Sequence, residues 1–257
     1  MRLQHRVLRQ SIKAALRLIY PSQCPGCGIP VASDGEDDSP LCPDCWRETR
    51  FITGTCCNRC GAPLADAGDS LAIEADLHCD DCLGIARPWT EGRAAMVYSG
   101  AGRRMVMALK HGDRPDLAPV MARWLARAAA PLIRPDMVVA PIPLHLIRLV
   151  KRRYNQAALV SDRLARLAQL KHLPDLLLRL RNTKAQDHRG LSDRFANVQG
   201  SVIVNPRHAS WIAGRPILLV DDVMTAGATL SVAAQALVAA GSGPVSVAVL
   251  ARAVKDD

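Results

Sequence analysis

Eight of the nine cysteines in this 257-residue chain form four C-x-x-C pairs within one 59-residue window. The pairs are Cys24/Cys27, Cys42/Cys45, Cys57/Cys60 and Cys79/Cys82. A C-x-x-C turn presents two thiolates to one metal ion, and two such pairs complete a tetrahedron. Their separation is typical of zinc ribbons, so we expect two zinc ions. Both ions would be structural, because four cysteines leave no open coordination position.

The phrase C-x-x-C-G-x-P occurs twice, beginning at Cys24 and at Cys57. This repeat predicts a duplicated module with two four-cysteine sites, in which Gly28 and Gly61 adopt a positive φ after each turn. The spacing is compatible with sequential pairing and with cross-braced pairing of the first pair with the third. The role of the ninth cysteine, Cys56, is left open.

A second motif combines two carboxylates with a small-residue turn. In residues 217–229 an apolar strand leads into Asp221 and Asp222, then into the turn and a helix. Ligands of parallel α/β sheets bind at the carboxyl ends of strands, and a helix N-terminus attracts anions. The carboxylates would bind hydroxyls or a metal, and the turn would hold a phosphate, so the motif predicts a site for a phosphorylated sugar. The turn residues are Thr225, Ala226, Gly227, Ala228 and Thr229.

A basic run follows another predicted strand end, after the phrase Pro-Ile-Pro-Leu-His at residues 141–145. Arginine and lysine at such a position are suited to neutralising a diphosphate. The alternative is the solvated start of a helix. The basic residues are Arg148, Lys151, Arg152 and Arg153.

The elements that must position these motifs alternate between strand and helix from about residue 92. That alternation predicts an α/β fold with a parallel sheet. Strands are expected at 94–98, 137–142, 217–220 and 245–250, and helices at 102–110, 115–130, 155–170 and 227–240. We therefore expect a basic amphipathic helix in 1–23, a double zinc ribbon in 24–91 and an α/β domain in 92–257.

The net charge of +9 is unevenly distributed. Residues 1–23 hold five basic and no acidic side chains, residues 24–91 hold 4 basic and 13 acidic, and residues 92–257 hold 24 basic and 11 acidic. A polyanion should therefore be drawn to the α/β domain, not to the zinc module, although a merely solvated basic surface is the alternative. Aromatic residues make up only 4%, which argues against a base-stacking platform.

We also expect a cytoplasmic protein with no membrane span. Basic residues interrupt every apolar stretch near the N-terminus, so no signal peptide is apparent. No apolar run reaches the ~18 residues that a spanning helix needs. Disulfides are disfavoured in the cytoplasm, which supports zinc as the partner of the cysteines.

Residues 217–229 resemble the phosphoribosyl diphosphate (PRPP) loop of type I phosphoribosyltransferases. The resemblance implies that Asp221 and Asp222 are the catalytic-site acids, contacting the ribose hydroxyls and water on Mg²⁺. It also implies that the turn at 225–229 holds the 5-phosphate. Ala226 stands where many relatives have threonine.

The zinc spacing and the PRPP loop together resemble the ComF family, over about residues 18–253. The family phrase P-x-P-L-H…R…R-G-F-N-Q is matched at 141–156, with Arg153 for glycine and Tyr154 for phenylalanine. Lys110 also fits the family, as a further anion-binding residue. A phrase from Thr183 to Val198 departs in spacing, so no role is carried over.

The ComF resemblance implies a role in natural transformation, handling incoming single-stranded DNA at the inner face of the membrane with proteins of the uptake machinery. Three hypotheses remain open. The protein binds PRPP or a related phosphorylated sugar in DNA uptake, it is a working phosphoribosyltransferase of nucleotide salvage or synthesis, or it is a non-catalytic adaptor. No recognisable base site names an acceptor.

Overall fold

A five-stranded parallel sheet forms the centre of the protein in the computed structural model, which describes residues 22–31, 41–65, 76–181 and 198–254. The strand order is β1-β7-β6-β2-β3, and β4 and β5 form a separate antiparallel pair. The strands are β1 Glu91–Val97, β2 Val138–Pro141, β3 Lys171–His172, β4 Leu177–Arg179, β5 Val202–Val204, β6 Ile217–Met224 and β7 Val245–Arg252. The predicted α/β fold with a parallel sheet is confirmed.

Seven helices accompany these strands in the described part of the chain. They are α1 Pro43–Glu48, α2 Asp80–Gly84, α3 Gly100–His111, α4 Ala118–Ala129, α5 Leu146–Arg152, α6 Gln156–Leu167 and α7 Ala228–Ala239. None of the helices so described is both long enough and apolar enough to cross a bilayer. The predicted N-terminal helix, up to residue 21, and the phrase from Thr183 to Asn197 lie outside the described residues.

The sheet is covered on both faces, which explains why its central strands are continuously apolar. Every residue of β7 is buried, as are the first four of β6. One face packs against α3, α4 and α6, and the other packs against α7 and the β4–β5 pair. β6 extends four residues beyond the predicted end at 220, so Asp221 and Asp222 lie within its last half.

The cysteine-rich module packs against the β1 edge of the sheet. The Ile52 N–H donates to the Ala95 carbonyl at 3.0 Å, and the Val97 N–H donates to the Arg50 carbonyl at 2.8 Å. These bonds cover backbone groups that an edge strand would otherwise expose. A Cβ on Gly61 would lie 2.3 Å from the Ala94 nitrogen, so the second C-x-x-C-G turn contacts β1 directly.

Candidate functional site

The eight paired cysteines converge into two groups of four. The first zinc site is defined by Cys24, Cys27, Cys42 and Cys45, and the second zinc site by Cys57, Cys60, Cys79 and Cys82. Within each group all sulfur atoms lie within 4.8 Å of one another. The pairing is therefore sequential, which decides between the two arrangements that the spacing left open.

The sulfur geometry fits zinc. A Zn–S bond of about 2.3 Å requires sulfur atoms about 3.8 Å apart at the corners of a tetrahedron. Cys27 and Cys42 Sγ are 3.7 Å apart, and Cys60 and Cys79 Sγ are 3.6 Å apart. The predicted positive φ is also present after each turn, +80° at Gly28 and +69° at Gly61. Two four-cysteine zinc sites are thus supported.

Cys56 lies outside both groups. It lines an apolar cavity of about 440 Å³ between the zinc module and the sheet domain, together with Trp46, Phe51 and Trp124. Burial raises the pKa of the Cys56 thiol. The ninth cysteine is therefore part of the packing between the two modules and adds no ligand to either four-cysteine group.

The two acids lie at the carboxyl edge of the sheet, beside the strand that precedes the basic run. β2 and β6 are parallel, and Pro141 pairs with Val220, one residue before Asp221. The phrase at 141–145 therefore leaves the sheet next to the acids. A parallel sheet collects its ligand-binding loops at this edge, and the structure brings the two separate sequence motifs together there.

Asp222 is buried and held by two side chains. Lys110 Nζ, at the end of α3, lies 3.0 Å from Asp222 Oδ1, and Gln156 Nε2, at the start of α6, donates to Asp222 Oδ2 at 2.6 Å. Lys110 was expected among the anion-binding residues. The structure places it on the acid, where it compensates a buried negative charge.

Asp221 has a pKa well above the ordinary value for a carboxyl group. Burial raises its pKa to about 7, and the neighbouring Asp222 carboxylate adds to the rise. The cations Lys110 and Arg179 oppose it. Its Oδ1 accepts the Asp222 backbone N–H at 2.9 Å. A desolvated pair of carboxylates is a site where a cation or a set of hydroxyl donors would be strongly bound.

Residues 225–229, hereafter the phosphate loop, connect β6 to α7. Gly227 has a φ of +78°, and α7 begins at the next residue. A Cβ at Gly227 would lie 2.8 Å from Arg87 Nη1 and 3.2 Å from the Trp89 ring, so only glycine fits. The N–H groups of the first helical turn have no acceptor within the helix, and they form the positive end of its dipole.

The basic run forms α5 and its C-terminal end. Arg148 and Arg152 lie one helical turn apart on α5. Burial lowers the pKa of Arg148, and the charge of Arg152 lowers it further. Lys151 is exposed. Arg153 takes a left-handed conformation with φ 66° and pairs with exposed Asp113 at 3.2 Å. Of the four basic residues predicted to bind diphosphate, Arg153 is thus paired with an acid outside the proposed site in this structure.

The sequence motifs contained no sign of three further arginines at this site. Arg179, on β4, interacts electrostatically with both motifs: burial lowers its pKa most, the charge of Arg148 lowers it further, and the Asp221 carboxylate opposes the fall. Arg87 Nη1 donates to the Ala226 carbonyl at 2.6 Å, and Arg252 Nη1 donates to the Thr225 carbonyl at 2.9 Å. Each is an isolated arginine outside any motif.

Comparison with known proteins supports this description. Residues 15–83 match the double zinc ribbon domain. The chain is 29% identical to DNA utilization protein YhgH of Escherichia coli K12, covering 91% of this chain and 99% of that one. It is 28% identical to Competence protein F of Haemophilus influenzae, covering 83% and 90%. The resemblance to the ComF family is confirmed.

The ComF resemblance extends over both the cysteine module and the sheet domain. Among solved structures, the glutamine PRPP amidotransferase of Bacillus subtilis, complexed with ADP and GMP, is 17% identical with a TM-score of 0.38. That alignment covers 55% of this ComF-like chain and 30% of the amidotransferase.

Proposed function

We propose that this ComF-like protein binds PRPP together with Mg²⁺ at the carboxyl edge of its sheet. We further propose that it assists the handling of incoming single-stranded DNA in natural transformation, in the cytoplasm. The site residues proposed for PRPP are the acids Asp221 and Asp222 and the phosphate loop. Arg148, Lys151 and Arg152 are proposed to bind the diphosphate, and Lys110 and Arg153 are secondary candidates.

The observation that carries this proposal is the carboxylate pair, buried Asp222 and partly buried Asp221, next to a glycine-turned helix N-terminus. The pair supplies acceptors for two ribose hydroxyls, and the phosphate loop supplies backbone N–H groups for a phosphate. Asp222 is already oriented by Lys110 and Gln156. A phosphorylated ribose is the ligand class that needs both kinds of contact within one short segment.

Mg²⁺ fits the donor set, since it binds through one or two carboxylates and substrate phosphates. When bound, it would neutralise charge on the diphosphate. The residues of the chain would bind and orient the sugar: Asp221 would accept hydroxyls once ionised, and Arg148 and Arg152 would attract the diphosphate from the α5 side.

The DNA part of the proposal rests on charge and on the relatives. The 24 basic and 11 acidic residues of 92–257 favour a polyanion, whereas the zinc module is acidic. Proteins similar to this chain over most of its length are named for DNA utilization and for competence. The zinc module would then contact proteins of the uptake machinery, not the DNA.

Titration calorimetry with PRPP, with and without Mg²⁺, tests the proposal. We expect one PRPP per chain, bound more tightly with Mg²⁺, and no measurable binding by the double variant Asp221→Asn/Asp222→Asn. Asp116→Asn, which removes an exposed carboxylate outside the pair, is the matched control and should bind as the wild type does. If the wild type binds no PRPP, the adaptor hypothesis replaces this one.

A further inference from the structure

Arg252, at the end of β7, joins the second zinc site to the phosphate loop. Its side chain is only 2% exposed. Its Nη2 lies 2.9 Å from Asp81 Oδ2, and its Nη1 donates to the Thr225 carbonyl at 2.9 Å. Asp81 lies between Cys79 and Cys82, within one of the two cysteine pairs of the second zinc site. One guanidinium therefore bridges a metal-binding turn and the loop.

Arg87 makes a parallel connection to the other cysteine pair. Its Nη1 donates to the Ala226 carbonyl at 2.6 Å, and its guanidinium lies 5.3 Å from the centre of the Trp89 ring. The Trp89 Nε1 donates to the Arg59 carbonyl at 2.6 Å, and Arg59 Nη1 donates to the Trp89 carbonyl at 2.7 Å. Because Arg59 lies between Cys57 and Cys60, both turns of the second zinc site reach the loop.

These two arginines fix the direction of two peptide groups. In a planar trans peptide the C=O and the following N–H point in opposite directions. Because the Thr225 and Ala226 carbonyls point at Arg252 and Arg87, the N–H groups of Ala226 and Gly227 point away from the zinc module. Successive N–H groups aligned in this way form a concave anion site.

The second zinc site would also supply negative charge that compensates these two arginines. Zinc with four thiolates carries a net charge of −2. Among the described residues, Arg87 Nε, Arg87 Nη2 and Arg252 Nε are buried without a hydrogen-bond partner. A buried cation is costly without a nearby negative charge.

We infer that Arg87 and Arg252 are positioning residues through which zinc at the second site sets the affinity of the phosphate loop for the 5-phosphate. This inference rests on the proposed binding of PRPP. The first zinc site offers a contrast. Arg104 Nη2 lies 3.9 Å from Cys45 Sγ and 2.6 Å from Glu48 Oε2. This arginine belongs to α3, so it contacts the first zinc site without connecting it to the phosphate loop.

The test measures Mg²⁺-dependent PRPP binding by the full chain. Arg87→Gln and Arg252→Gln should each weaken binding about ten-fold, the effect of one lost charge-assisted hydrogen bond. Arg104→Gln is the matched control, an arginine beside the other zinc site, and should change binding by less than about two-fold, because its ion pair is half exposed. Arg87→Lys should recover part of the loss, since one ammonium can still reach the Ala226 carbonyl.

Two further ligands distinguish a local effect on the phosphate loop from a disturbance of the whole domain. Ribose 5-phosphate, which needs the phosphate loop, should lose affinity in Arg87→Gln, whereas inorganic diphosphate with Mg²⁺ should bind as before. Zinc content should stay at two per chain. Equal losses for both ligands would mean that the whole domain is disturbed, which would overturn a positioning role. If Arg252→Gln does not fold, Arg87→Gln alone decides.

The role of zinc is tested by substituting one cysteine in each zinc site. Cys27→Ser and Cys82→Ser should each lose one zinc ion, and only Cys82→Ser should weaken PRPP binding, again by about ten-fold or more. Equal PRPP affinity in wild type, Arg87→Gln and Cys82→Ser would overturn the inference and leave PRPP binding intact. Absence of PRPP binding in the wild type would instead refute the proposed function.

Discussion

Asp221→Asn should stabilise the protein at neutral and alkaline pH. The Asp221 carboxyl has a pKa raised from 3.8 to about 7, chiefly by burial. Between these pH values the unfolded chain releases this proton and the folded chain keeps it, so rising pH favours unfolding. Above pH 7 the full cost corresponds to about 4 kcal/mol. Because Asp221 retains some contact with solvent, we expect roughly half of this, about 2 kcal/mol, in a measurement.

Asparagine cannot ionise, and its Oδ1 can still accept the Asp222 N–H that Asp221 accepts at 2.9 Å. At pH 8 we therefore expect the urea midpoint of Asp221→Asn to rise, together with a melting temperature about 4–8 °C higher. The gain should shrink as pH falls and vanish near pH 4. Asp113→Asn, at an exposed ion pair, should differ from wild type by less than about 0.5 kcal/mol throughout. A variant no more stable than wild type at pH 8 would refute the reasoning.

Three further outcomes are expected. Metal analysis of the purified protein should return two zinc ions per chain and one in Cys27→Ser, and wild type with one ion or fewer would exclude a double zinc ribbon. Lys110→Met should lower the free energy of urea unfolding by about 1–3 kcal/mol, because it removes the cation paired with buried Asp222. Adding Asp222→Asn should recover most of this loss, and additive losses would contradict the pairing. The logarithm of the single-stranded DNA binding constant should fall with the logarithm of the salt concentration, with a slope of ~0.7 per phosphate contact. Removing Arg148 and Arg152 should therefore reduce the slope by about 1.4. Salt-insensitive binding would contradict a phosphate-based contact.

The local features of the site could be predicted because each depends on a few neighbouring residues. The C-x-x-C spacing predicts the cysteine turns, and the glycine after each turn indicates its backbone conformation. The phrase at 217–229 predicts a strand, a turn and a helix, which the structure contains as β6, the phosphate loop and α7. Only the strand end was misplaced, because Val223 and Met224 still pair with β7.

The contacts that complete the site could not be predicted, because folding brings together residues far apart in the chain. Arg87 and Ala226 are 139 positions apart, and Arg252 and Asp81 are 171 apart. An isolated arginine has no periodicity or spacing that would indicate its partner. Lys110 shows the same limit, since its basic character suggested an anion ligand, and only the arrangement of α3 against β6 reveals its contact with Asp222.

A crystal structure of the full chain grown with PRPP and Mg²⁺ would test the proposed PRPP site most directly. We predict that the 5-phosphate lies against the N–H groups of residues 226–229, with the ribose hydroxyls within hydrogen-bond distance of Asp221 and Asp222. The diphosphate should lie toward Arg148 and Arg152. PRPP bound elsewhere, or no ligand density at the carboxyl edge at saturating PRPP, would contradict it.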